Sequence, residues 1–137
     1  MAELKQHLAE AVAALATLEE LAGRNDLSVA ERDGAILRLV YTFEAIWKAA
    51  ALLLEQSERI EVGSPGSAIR ACRQVGWLSD SDAEAAQTLA VERNLTVHMY
   101  RLSIGETIAS HLPAHAVLLH RWLDALQQRA AAAEVGK

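Results

Sequence analysis

The chain has 137 residues, 52 % hydrophobic and 23 % charged, which is enough for one domain with a substantial core, taken to span 1–137, and too little for two. Seven glycines, two prolines and 4 % aromatics leave little material for a sheet protein, while Ala, Leu, Glu, Gln and Arg are plentiful, so the expected class is all-α. A formal net charge of −5 excludes a chain-wide cationic field, and any contact with a nucleic-acid backbone must be local.

In chain order, Leu4, Leu8, Ala11, Leu15, Leu18 and Ala22 recur at alternating steps of four and three, predicting a first helix that ends near Gly23 as its cap. Glu3, Glu10, Glu19 and Glu20 interrupt the apolar run there, so it is not read as a signal peptide. No uncharged segment approaches the roughly 18 residues of a membrane span. Ser28 with Glu31 has the form of a capping box. Behind it Ile36, Val40, Phe43, Trp47, Ala50 and Leu54 predict a long second helix, whose apolar surface Leu37, Ile46 and Leu53 widen. "EVGSPGS", residues 61–67, is a connector, with Ser64 and Pro65 able to cap and begin a short helix through Ile69, Cys72 and Val75 to Gly76.

Ser79 and Ser81 are N-cap candidates for the next helix, with Asp82 and Glu84 in its first turn. A last helical region holds Ile108, Leu112, Leu119, Trp122 and Leu126, with Pro113 either opening its main part or breaking it from a short preceding turn, and the tail after Arg129 is expected to fray. The expected core uses Leu8, Leu15, Ile36, Val40, Phe43, Trp47, Leu95 and Leu119. Cys72 is alone, which excludes an internal disulfide and fits a reducing cytoplasm.

The helix after Ser79 carries "VERNLTVHMY", residues 91–100, whose polar groups a core does not ask for. On a continuous helix Val91, Leu95, His98 and Leu102 share one stripe, while Leu89, Arg93, Thr96, Val97 and Tyr100 lie opposite. Both faces are partly apolar, so the second is expected to meet a partner subunit, as a homodimer with Leu89, Arg93, Val97 and Tyr100 near the two-fold. Arg93 and His98 stand about 140° apart around such a helix and do not converge on one small group, whereas Asn94 and His98 are i,i+4 neighbours. A lone histidine on a helix is more often a hydrogen-bonded core residue than a catalyst, and patterning by itself assigns His98 no chemistry. His111 and His115 are spaced like a metal pair, but Pro113 lies between them and no obvious carboxylate completes a site, so no metal is expected.

Arg93-Asn94, three residues, His98, one residue and Tyr100 resemble the R-x4-H-x-Y signature of the HEPN family, helical domains encoded beside minimal nucleotidyltransferases. Phe43-Glu44 with Trp47-Lys48, Ser64-Pro65 with Ile69-Arg70, and "RNLTVHMY" resemble, in order, the HepT-like branch described as nucleotidyltransferase substrate-binding proteins. The similarity runs from about the second helix to Ile108. The resemblance implies an up-and-down antiparallel four-helix bundle with an extra short connector helix, forming a homodimer in the cytoplasm.

The same resemblance implies a toxin of a type VII-like toxin–antitoxin pair, a metal-independent endoribonuclease without cofactor. In that scheme His98 is the general acid/base, Arg93 the phosphate ligand and Asn94 a polar helper, and the cognate minimal nucleotidyltransferase silences the toxin by placing AMP on Tyr100. A neutral-range proton acceptor and a fixed guanidinium suit cleavage by a 2′-hydroxyl. Arg70, Arg73 and Arg101 are candidates to extend a phosphate-binding surface. The alternative is a non-catalytic subunit that binds a nucleotide or other substrate for the nucleotidyltransferase.

Overall fold

The computed structural model describes residues 2–136, which contain six α-helices and no strand. Helix α1 spans Ala2–Ala22, α2 Val29–Glu58, α3 Pro65–Gln74, α4 Asp80–Leu95, α5 Leu102–Ser110 and α6 Leu112–Val135. A single 3-10 turn, Thr96–His98, follows α4.

The starts are set by short polar side chains that satisfy otherwise orphaned N–H groups. Ser28 and Glu31 form a reciprocal capping box on α2, and Ser64 and Ser67 do the same for α3 with Pro65 in its first turn. Ser79, not Ser81, caps α4, its hydroxyl accepting from the Asp82 N–H at 3.1 Å. Gly23 ends α1 without a left-handed conformation; Gly76 (φ 85°) takes one after α3, and the non-glycine Arg59 (φ 55°) takes one where α2 stops, with the Ile60 N–H returning to the Leu54 carbonyl at 3.1 Å.

The long helices α1, α2 and α6 pack on one another, while α3 leans on α2 and α4, α4 on α6, and α5 on α2 and α6. Their apolar stripes meet in one cluster that includes Leu4, Leu18, Ile36, Phe43, Ile46, Leu119 and Trp122, with the Phe43 and Trp122 rings tilted at 56° and 6.4 Å apart. Such a ring pair adds on the order of 1 kcal/mol beyond its buried area. Of the expected core, Leu15, Ile36, Phe43 and Leu119 are buried, whereas Leu8, Val40 and Trp47 are half-buried at its edge. Leu95, the last residue of α4, is 39 % exposed, and Leu37 faces outward.

Pro113 opens α6, and the segment before it is a helix of its own, α5. The tail does not fray at Arg129: α6 continues to Val135 because α1 runs beside it, with Ala130 against the core and Lys5 paired to Glu134 at 3.3 Å. No described helix is long and apolar enough to cross a membrane.

Candidate functional site

Helix α4 buries Ala83, Ala86, Leu89 and Glu92, every third residue, so Arg93 emerges beside the buried stripe in the last turn. There its Nε donates to Glu44 Oε1 on α2 at 2.9 Å, with the two side chains 33 % and 26 % exposed. Glu44 Oε2 accepts from the Trp47 indole N–H at 3.2 Å, and the Lys48 ammonium stands 3.8 Å away. The Phe43–Lys48 group, part of the family resemblance, therefore also holds the motif arginine. Asp82, in the first turn of α4, binds Arg121 on α6 through two hydrogen bonds.

Beyond Leu95 the continuous-helix reading fails. The Thr96 hydroxyl donates to the Arg93 carbonyl at 2.7 Å, taking one of the terminal acceptors, and the chain tightens into the 3-10 turn. The stripes expected across residues 96–102 are therefore rearranged. Leu89 is wholly buried in the protomer core and is not available to a partner subunit, while Val91, Val97, Leu102 and Tyr100 are exposed, Tyr100 by 75 %. His98 and Tyr100 come together edge to face with ring centroids 6.0 Å apart, the hydroxyl 3.5 Å from Nδ1, too long for a strong hydrogen bond. No hydrogen bond or ion pair joins Arg93 to His98, or Asn94 to His98, among the described residues. Asn94 is exposed.

Arg70 and Arg73 both line an open cleft of about 400 Å³ between α3 and α4, with Ile69, Ala83, Glu84 and Gln87. Arg73 Nε is engaged by Asp80 at 2.8 Å, whereas Arg70 has no carboxylate partner among the described residues. Arg101 is exposed at the start of α5 and does not line that cleft.

One constellation escaped the sequence reading. The carboxylate missing beside His111 and His115 is Glu92: its Oε2 stands 2.7 Å from His111 Nδ1 and its Oε1 2.8 Å from His115 Nε2. The signal was present in α4, where a charged residue continues a stripe of alanine and leucine and so demands buried partners.

A sequence-family profile described as "nucleotidyltransferase substrate binding protein like" matches residues 6–128, most of the chain. The chain belongs to this family. For a member of the nucleotidyltransferase substrate binding protein-like family, the matched span holds Glu44, the Arg70–Arg73 cleft, the Arg93–Tyr100 motif and the Glu92–histidine cluster, leaving out only the two chain ends. The family member also resembles a crystal structure of a protein from Thermus thermophilus, with 45 % identity, a TM-score of 0.83, 85 % of this chain and 98 % of that one covered. No curated protein matches.

Proposed function

We propose that this protein is the substrate-binding subunit of a two-component nucleotidyltransferase, holding a nucleotide or another acceptor for a separately encoded catalytic chain. The observation that carries this reading is the family match over residues 6–128. The Arg70–Arg73 cleft supports it with a volume of about 400 Å³, within the range of small-ligand sites, and with the Arg70 guanidinium, which has no ion-pair partner among the described residues, available to a phosphate although Asp80 and Glu84 also line the cleft. In this reading α1, α2, α4 and α6 act as an up-and-down four-helix bundle with α3 as connector, α4 being tied to α2 through Arg93 and Glu44. The test is equilibrium binding of labelled ATP to the chain with and without the neighbouring nucleotidyltransferase. Saturable binding that Arg70→Ala weakens at least tenfold is expected; absence of binding in both settings refutes the nucleotide as the ligand held.

A second reading, the ribonuclease toxin of a HEPN-type pair, is favoured by the exposure of His98 and Tyr100 just beyond the end of α4. His98 would take the proton of a 2′-hydroxyl as its oxygen attacks the adjacent phosphorus and the bond to the 5′-oxygen breaks, while Arg93 would exchange the Glu44 carboxylate for the phosphate. A homodimer joined through Val91, Leu95, Val97 and Leu102 would bring the two groups together from different protomers, since they do not meet within one. AMP transfer would place the α-phosphorus of ATP on the Tyr100 oxygen with release of pyrophosphate. RNA cleavage in the presence of a chelator, lost in His98→Ala, supports this reading. A mass gain of one AMP on the wild type but not on Tyr100→Phe, after incubation with the partner, ATP and magnesium, tests the silencing step. A purified chain inert toward RNA removes it.

A further inference from the structure

Outside the motif, a compact set of donors remains unexplained. Glu92 from the last turn of α4 and His111 and His115 from the head of α6 place one donor atom each within 4.8 Å of one another. The two histidines are one helical turn apart, the His115 N–H bonding the His111 carbonyl at 2.9 Å, and Pro113 sits in the first turn, where it lacks no needed N–H. The proline therefore does not break the pair, and the carboxylate is supplied from 19 and 23 residues away.

We propose that Glu92, His111 and His115 form a binding site for a divalent transition-metal ion, zinc in the first instance. Two imidazoles and a carboxylate are a borderline donor set that selects zinc and its neighbours over magnesium or calcium. In a tetrahedral zinc site with bonds of about 2.0–2.1 Å, donor atoms stand roughly 3.3 Å apart. The histidines contact different oxygens of the Glu92 carboxylate, at 2.7 and 2.8 Å, and one donor atom from each of the three residues lies within 4.8 Å of the others, so side-chain adjustment brings them to this spacing as the ion replaces the bridging hydrogens. Each imidazole then carries its proton on the nitrogen facing away from the ion, and any proton beyond that is released to solvent.

The surroundings suit an ion. The Glu92 and His115 side chains are 9 % and 8 % exposed, so the donors are held by packing, while His111, at 47 %, leaves a path of access. Glu92 also lines a cavity of about 230 Å³ with Leu95, Ser103, Ile104, Thr107 and Ile108. The ion would clamp the end of α4, one residue before Arg93, to the α5–α6 junction. His120, with Glu19 and Asp124 on an exposed surface, is the natural site of adventitious binding and serves as comparator.

The experiment is titration of the chelator-treated full-length protein with zinc, followed by calorimetry and thermal unfolding, with cobalt(II) as a visible-absorption probe. One ion per chain, a higher Tm and an intense four-coordinate cobalt spectrum are expected, with no response to magnesium at equal concentration. His111→Asn, at a half-exposed position that does not threaten the fold, should weaken zinc by at least about 100-fold, the upper end of what even an outer-shell partner costs. Glu92→Gln should do the same, and His120→Asn should change nothing. Absence of zinc binding by the wild type, unchanged binding in His111→Asn, loss of binding in His120→Asn, or an equal magnesium response would each overturn the proposal.

Discussion

Arg93 and Glu44, 49 residues apart in the chain, meet at 2.9 Å and join the last turn of α4 to the middle of α2. Glu44 is also engaged by the Trp47 indole N–H at 3.2 Å and lies 3.8 Å from the Lys48 ammonium, both on its own helix. The pair is partly screened by solvent, so a double-mutant cycle of Glu44→Gln and Arg93→Gln should give a coupling of about 1 kcal/mol, read from urea unfolding. A coupling near zero would mean that the contact positions nothing.

His98 behaves differently, its exposed ring standing edge to face with the exposed Tyr100. His98→Ala should leave stability within about 0.5 kcal/mol of the wild type. Circular dichroism melts of the two proteins should therefore overlay, and any accompanying loss of binding or cleavage is chemical, not structural.

Ser28→Ala should cost about 1 kcal/mol by opening the box that starts α2. The Glu31 carboxyl is held below its usual range, first by the Ser28 backbone N–H, then by the Ser28 hydroxyl and the charge of Arg24. A depressed carboxylate stabilises above its unfolded pKa of about 4.3, and this is lost as pH falls through the lower folded value. The gap between wild type and Ser28→Ala in urea midpoints should accordingly narrow in acid.

Burial pushes the Cys72 thiol up to about 11, although the Trp122 indole, which has no oxygen or nitrogen acceptor, works weakly in the opposite direction. At pH 8 the thiol is neutral and enclosed. A disulfide reagent should label it only after denaturant is added; rapid labelling of the folded protein would contradict the packing.

Local signals were legible in the sequence. Ser28 with Glu31 and Ser64 before Pro65 announced their helices, and steps of three and four placed Ile36, Phe43 and Leu119 in the core. Contacts between distant segments were not, because Glu44 with Arg93 and Glu92 with the two histidines depend on how helices dock, which periodicity does not encode. The break after Leu95 was hidden for another reason. "NLTVHMY" contains no glycine or proline, and the turn is made by a threonine hydroxyl competing for a helix carbonyl.

That break gives the motif an uncommon latitude toward mutation. Residues 97, 98 and 100 are exposed on a turn outside the long helices, and Met99 is the nearest anchor to the core. Replacements at these positions leave the bundle intact, whereas changes along α2 or α6 carry a folding penalty. In a deep mutational scan scored for abundance the segment should be almost silent, and if the second reading holds it should stand out in one scored for RNA cleavage. Natural selection meets the same separation, so this stretch can vary in sequence without first rebuilding the protein that displays it.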